Sequence, residues 1–129
     1  MINVQTVLKV VDNSGAVYVN CIRLMKSSSR VGAKVGDVIT VVIKKSIIKK
    51  NIKKSKEVKK GQVCTAVVLR TVKGLKRWGN FFISSGSNSA LLVNKYFLPL
   101  GSRLLGPVFR EIRTNLKFSK IISISQVTL

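Results

Sequence analysis

The sequence has no histidine and few acidic residues. Among its 129 residues the acids are Asp12, Asp37, Glu57 and Glu111. Histidine is the commonest general base and the commonest metal ligand, so its absence excludes every catalytic triad that depends on it. A serine nucleophile has no base to activate it, and Asp12 and Asp37 lie in turn-like segments. We therefore expect that the protein is not an enzyme.

Cysteines, phosphate-binding glycine motifs and long apolar runs are also scarce. Cys21 and Cys64 each lie in an apolar, strand-like run without CxxC spacing, which is typical of buried, reduced thiols. The glycines form neither a phosphate loop nor a dinucleotide fingerprint, so we expect no metal and no cofactor. No apolar run approaches the roughly 18 residues of a membrane span. There is also no long amphipathic helix, so we expect no membrane association. The N-terminus has no leader-like pattern, so we expect the protein to work where it is made or in the compartment that makes it.

Positive charge is what the sequence has in excess. Lysine and arginine total 24 against 4 acids, which gives a formal net charge of +20 and a pI near 10.8. Nine lysines and one acid lie within residues 44–60. Such a run is often only a solvated loop, but like charges at this density repel unless a polyanion lies nearby. Releasing counterions from a phosphate backbone supplies affinity without reading base sequence. The segment therefore predicts contact with nucleic acid.

The first two thirds of the chain contain patterns of short β-strands. Residues 4–11 and 16–24 flank an Asp-Asn-Ser-Gly turn and predict a hairpin. Apolar or β-branched runs follow at residues 38–43, 63–69, 81–83 and 90–93. Residues 63–69 are apolar on both faces, which indicates a central strand. Five or six short strands with regular turn signals predict a mainly β protein built on a small barrel.

The last third has a different pattern. Pro107 follows a glycine and predicts the start of a helix of about two turns, with Val108, Phe109 and Ile112 facing inward. The spacing of apolar residues in 118–122 predicts a second short helix, although residues 122–125 also alternate like a strand. We expect one domain over residues 1–129, with a β-barrel over about 1–95 and a C-terminal loop and helix region over about 96–129.

Two further basic clusters follow the lysine-rich segment. In the first, Trp78 ends a run of cations and is expected to stack on an unpaired base or ribose, or else to close the barrel end or pack on a lysine stem. The second covers the C-terminal third and is either a solvated face or a surface for RNA or an acidic partner. The residues that we expect to contact RNA are Lys44, Lys45, Lys49, Lys50, Lys53, Lys54, Lys56, Lys59, Lys60, Arg70, Lys73, Lys76, Arg77, Trp78 and Arg103.

Several short motifs follow one another through nearly the whole chain. They are residues 1–2 and 5–6, 11–16 (VDNSGA), 21–22, 35–39 (VGDVI), 58–61, 66–71 (AVVLRT), 100–103 (LGSR), 106–108, 110–113 (REIR) and 118–123 (FSKIIS). Together they resemble the universal large-subunit ribosomal protein fourteen (L-fourteen) family. Two features depart from the family pattern: the basic loop is longer and richer in lysine, and residues 84–90 match only loosely.

The resemblance implies a five-stranded β-barrel with a C-terminal loop region that carries two short helices. It implies a structural constituent of the large ribosomal subunit that binds large-subunit ribosomal RNA. It also implies an inter-subunit bridge to small-subunit ribosomal RNA, contacts with ribosomal proteins nineteen and three, and docking of a ribosome-silencing factor. Residues that we expect at partner or bridge contacts are Pro107, Phe109, Arg110, Arg113, Lys117, Phe118 and Lys120.

Residue usage bears on the compartment. The chain is rich in lysine, isoleucine, serine and asparagine, whose codons are AT-rich. Together with the departures from the family pattern, this favours the ribosome of a mitochondrion, with a plastid or a bacterial cytoplasm as alternatives.

A free-standing barrel that binds single-stranded nucleic acid, of the OB kind, is the alternative to a ribosomal protein. Such barrels usually display several aromatic side chains on one face of the sheet. Aromatic residues make up 6% of this sequence and are scattered along it. The sequence therefore favours the ribosomal interpretation.

Overall fold

Five strands form a closed barrel in the computed structural model, which describes residues 1–25, 32–47 and 58–129. The barrel strands are β1 (Val7–Val10), β2 (Ala16–Leu24), β3 (Val38–Ser46), β4 (Val63–Arg70) and β7 (Ser89–Val93). They follow one another around the barrel in that order, and β7 pairs with β1 to close it. All neighbouring strands are antiparallel except β7 and β1, which are parallel. The predicted small β-barrel is confirmed. The predicted division of the domain near residue 95 stays a prediction.

The β1–β2 hairpin depends on the turn that the sequence predicts. Asp12 accepts hydrogen bonds from the Ser14 hydroxyl and, at 2.9 Å, from the Ser14 backbone N–H, and Gly15 has a φ of 99°. Only a residue without a Cβ adopts that φ without strain. Asp12 also accepts a 3.3 Å hydrogen bond from the Leu92 backbone N–H. One buried carboxylate therefore shapes the turn and ties it to β7.

Inward-facing residues of the five strands fill the barrel. Alternate positions point to opposite faces of a strand, so Ile39, Val41 and Ile43 of β3 are buried inside. Cys21 is buried in the same core and Cys64 packs against it, both as free thiols. Burial raises the pKa of each thiol. The prediction of reduced, structural cysteines is consistent with this packing.

A second apolar core covers the outer face of β4 and β7. Val67 and Leu69 of β4 and Leu91 of β7 point away from the barrel interior and are buried under the C-terminal segment. That segment contributes Val108, Phe109, Ile112, Phe118 and Ile121. Because β4 and β7 have one apolar face in each core, both strands are buried on both sides. The prediction that residues 63–69 form a central strand is confirmed.

The C-terminal segment consists of short helices, one of which does not begin where the sequence predicts. A 3-10 helix spans Arg110–Thr114, and a second, Leu116–Phe118, continues into α1, Ser119–Ile124. The short helix predicted near residues 118–122 is confirmed. The helix start predicted at Pro107 is wrong, because Val108 pairs with the C-terminus. Its N–H donates to the Val127 carbonyl at 2.9 Å and its carbonyl accepts from the Leu129 N–H at 2.9 Å.

A small hairpin stands apart from the barrel. Strands β5, Leu75–Lys76, and β6, Phe82–Ile83, pair as a separate two-stranded sheet. A 3-10 turn, Trp78–Asn80, joins them, with positive φ at Gly79 (72°) and Asn80 (61°). The strand predicted at residues 81–83 is present, but it belongs to this hairpin and not to the barrel wall. Among the described residues, no helix has the length and apolar character needed to cross a membrane.

Candidate nucleic-acid interface

Four lysines meet where β3 ends and β4 begins. Lys44 and Lys45 are the exposed end of β3, and Lys59 and Lys60 precede β4. The Ile43 N–H donates to the Gln62 carbonyl at 3.1 Å, and the Gly61 N–H donates to the Ile43 carbonyl at 2.8 Å. These bonds bring the two lysine pairs side by side. We call these four residues the basic patch.

Cross-strand pairing extends the basic patch over the outside of the barrel. Lys9 of β1 pairs with Tyr18 of β2, and Tyr18 pairs with Lys45 of β3. Directly paired residues point to the same face of a sheet, and all three side chains are exposed. Lys9 and Tyr18 are not among the residues expected from the sequence to contact RNA, although counting outward from the predicted turn pairs them. The expected RNA contacts at Lys49, Lys50, Lys53, Lys54 and Lys56 lie outside the described residues.

Arg70 has a structural contact that the sequence did not indicate. Its guanidinium is partly buried and lies within 3.3 Å of the Ser89 hydroxyl and 3.4 Å of the Leu105 carbonyl, to which it donates. Burial lowers the pKa of Arg70. A Cβ at Gly106 would come within 2.4 Å of the guanidinium, so the chain packs directly on this side chain. Arg70 thus braces residues 105–106 against the barrel, and its contact with RNA stays a prediction.

Arg77 and Glu111 join the small hairpin to the C-terminal segment. The Arg77 Nε lies 2.5 Å from one carboxylate oxygen of Glu111, and a terminal nitrogen donates to the other at 2.9 Å. The same guanidinium also donates to the Leu129 carbonyl at 2.8 Å. Hydrogen bonding to Arg77 holds the pKa of Glu111 below its usual value. Charge-assisted, two-point pairs of this kind are stronger and more directional than a single hydrogen bond.

Replacing Glu111 with glutamine is expected to reduce stability by about 1 kcal/mol at neutral pH, because the pair is partly exposed to solvent. Folding lowers the pKa of Glu111, so the contribution of the pair is present above the unfolded pKa and is lost as pH falls through the folded pKa. The stability difference between wild type and Glu111→Gln should therefore shrink below about pH 4.3. Urea unfolding at several pH values measures it. A difference that stays constant down to acidic pH would contradict an ionic pair.

Trp78 lies at the tip of the small hairpin. Its side chain is 98% exposed. The alternative in which it closes the barrel end or packs on a lysine stem is therefore wrong. Lys73 and Lys76 on the same segment are also exposed.

The C-terminal cations are accessible, whereas two aromatic residues expected beside them are not. The exposed cations of this segment are Arg103, Arg110, Arg113, Lys117 and Lys120. Phe109 is 2% exposed and Phe118 is fully buried, so the expectation that their side chains contact a partner is wrong. They pack in the second core, and Pro107 is partly buried beside it.

Three of the four acids lie among the described residues, and each has contacts within the protein. Asp12 and Glu111 accept the hydrogen bonds described above, and Asp37 accepts a 2.8 Å bond from the Lys34 backbone N–H. Exposed cations thus occupy the barrel rim, the small hairpin and the C-terminal segment. Such a surface fits a polyanion that contacts the protein from several sides.

Comparison with known proteins decides the family. The family model described as "Ribosomal protein L14p/L23e" matches residues 1–129. The chain belongs to the ribosomal protein L14p/L23e family. This confirms the family that the motifs resemble. Proteins of the L14p/L23e family are structural components of the ribosome, which confirms that the chain is not an enzyme.

Two relatives of the L14p/L23e chain carry the same name. It is 83% identical over 129 residues, all of both chains, to "Large ribosomal subunit protein uL14m" of Acanthamoeba castellanii. It is 81% identical over 116 residues, 90% of this chain and all of the relative, to "Large ribosomal subunit protein uL14m" of Acanthamoeba polyphaga. The family match thus covers both the barrel and the C-terminal segment.

Proposed function

We propose that this protein is a structural constituent of the large subunit of a mitochondrial ribosome, where its exposed cations bind ribosomal RNA. Family membership over residues 1–129 carries the proposal. The relatives named as large-subunit proteins support the subunit and the compartment. A formal charge of +20 destabilises a free protein through repulsion between its like charges, and permanently bound RNA would reduce that repulsion.

The basic patch is the part of this surface best suited to phosphates. Its four lysines are exposed, and Lys9 and Tyr18 continue it over the barrel wall. Lysine is a compact point charge on a flexible stem, which binds phosphate without fixed geometry. Such a contact fixes the position of the protein on RNA and does not depend on the base sequence.

The exposed cations of the C-terminal segment support contacts with partners other than large-subunit ribosomal RNA. The exposed cations Arg110, Arg113, Lys117 and Lys120 could bind small-subunit ribosomal RNA in an inter-subunit bridge. Contacts with ribosomal proteins nineteen and three, and docking of a ribosome-silencing factor, belong to the same proposal. Protein neighbours would contact exposed side chains of residues 96–129.

Sedimentation of a native mitochondrial extract tests the proposal. We expect the protein to migrate with the large subunit and to remain there after a high-salt wash, because many phosphate contacts act together within a folded particle. A protein that is found free, or that is released to many different RNAs, would favour the OB-like alternative instead.

A further inference from the structure

Three large aromatic side chains lie exposed on the small hairpin. Trp78 is 98% exposed, Phe81 73% and Phe82 69%. They fall within five consecutive residues and account for three of the eight aromatic residues in the chain, which has five Phe, two Tyr and one Trp. Single apolar residues on a surface need no explanation, but a contiguous aromatic group marks a binding surface. We call these three residues the aromatic platform.

Several contacts fix the hairpin that carries the aromatic platform. The Arg77 N–H donates to the Phe81 carbonyl at 2.8 Å across the tip. A Cβ at Gly79 would come within 3.2 Å of the Phe81 ring, so the glycine backbone packs against that ring. The pair of Arg77 with Glu111 anchors the tip of the hairpin to the C-terminal segment. The hairpin backbone and the Phe81 ring are therefore held in place, and Trp78 projects from this fixed tip with its ring accessible to a ligand.

The groove beside the platform is lined by cations. Lys76, Arg77 and Arg110 lie along it together with Thr128 and Leu129. Glu111 also lines the groove, but it is paired with Arg77, so the charges of these two residues cancel and Lys76 and Arg110 supply the positive charge. Lys76 and Arg110 are exposed. A ligand that fits must therefore offer flat apolar surface and negative charge at close spacing.

We infer that the aromatic platform binds an unpaired nucleotide of ribosomal RNA, with the base stacked on Trp78 and phosphates near Lys76 and Arg110. Unpaired nucleotides combine a π face with an adjacent phosphate, and proteins bind them by aromatic stacking beside cations. A protein partner would need acidic groups to match the same cations, in a particle whose main polyanion is RNA. The inference rests on the proposed function and adds a stacking contact to the phosphate contacts of the basic patch.

Trp78 is the only tryptophan of the chain, so its fluorescence reports on this site directly. We expect single-stranded oligouridylate to quench the fluorescence of the full-length protein, because stacked bases quench indole. An RNA duplex of equal length and inorganic polyphosphate should bind the basic patch without quenching. Equal quenching by all three, or by none of them, would overturn the inference.

Substitution separates stacking from charge. Trp78→Leu should weaken oligouridylate binding about tenfold, as a lost stacking contact typically does, and should leave the salt dependence unchanged. Because the side chain is almost fully exposed, the variant should fold as the wild type does. Tyr96→Leu is the matched control, since Tyr96 is 81% exposed and lies outside the groove. An equal loss in both variants would overturn the inference.

Irradiation of native large subunits with ultraviolet light tests the site in its assembled state. We expect nucleotide adducts at Trp78, Phe81 or Phe82. Adducts at other residues of the chain, with none on the platform, would overturn the inference, leave the proposed function intact and favour a protein partner at the groove. Absence of the chain from the irradiated subunits would overturn the proposed function itself.

Discussion

Replacing Lys44, Lys45 and Lys60 together with glutamine is expected to weaken binding to ribosomal RNA by about 10²–10³-fold at about 0.1 M salt. All three side chains are exposed, and the pairing of residues 43 and 61–62 brings them together. Each phosphate contact contributes about 0.7–0.9 to the slope of log K against log salt concentration, so three lost contacts lower the slope by about 2–3. Equilibrium binding over a series of salt concentrations measures both quantities.

A matched variant distinguishes a local contact from attraction to total charge. Arg23, Lys34 and Lys95 are also exposed and lie outside the basic patch. Their triple replacement with glutamine removes the same charge, and we expect it to change the slope by less than one unit. If both triple variants lower the slope equally, the basic patch is not where phosphates bind, and the placement of the RNA contact on the barrel rim is wrong.

Features that depend on neighbouring residues could be predicted from the sequence. The Asp12–Gly15 turn forms because a carboxylate accepts from the backbone two residues on and a glycine supplies positive φ. That turn fixes the register in which Leu8 pairs with Val19. The central position of β4 followed from apolar residues on both of its faces. Local turn chemistry and strand periodicity therefore sufficed for a mainly β barrel.

Features that depend on distant residues could not be predicted in this way. Strand β3 continues through residues 44–46 because β2 pairs with Lys45 and Ser46, although these residues have no strand pattern in the sequence. No helix begins at Pro107, because the backbone N–H and carbonyl of Val108 form hydrogen bonds with residues 127 and 129. These partners lie about twenty positions further along the chain. In both cases a partner far along the chain overrides local preference.

The candidate interface was predictable in its chemistry and less so in its geometry. Composition alone indicated that the protein binds a polyanion, and most of the cationic side chains that the structure describes are exposed. Arg70 and Arg77, however, form hydrogen bonds within the protein, and nothing in their neighbouring residues distinguishes them from Lys73 or Lys76. The aromatic platform was missed in part because Phe81 and Phe82 match a buried strand when read without their hairpin.

Phe118→Ala is expected to destabilise the protein by about 3–5 kcal/mol, a large part of the 5–15 kcal/mol that a domain of this size typically has. Phe118 is fully buried and packs edge-on against Phe97, with ring centroids 6.2 Å apart. It belongs to the core that joins the C-terminal segment to β4 and β7. Truncation leaves a cavity between the C-terminal segment and the two strands, and the loss of stability increases with the cavity volume that remains.

Leu116→Ala is the matched control, because Leu116 lies two residues earlier on the same 3-10 helix and is 90% exposed. We expect it to change stability by less than about 0.5 kcal/mol. Urea unfolding followed by circular dichroism measures both variants. If Phe118→Ala were as stable as Leu116→Ala, the second core would contribute little to the stability of the protein. A large, selective loss would instead mean that the C-terminal cations present a surface whose position depends on this buried ring.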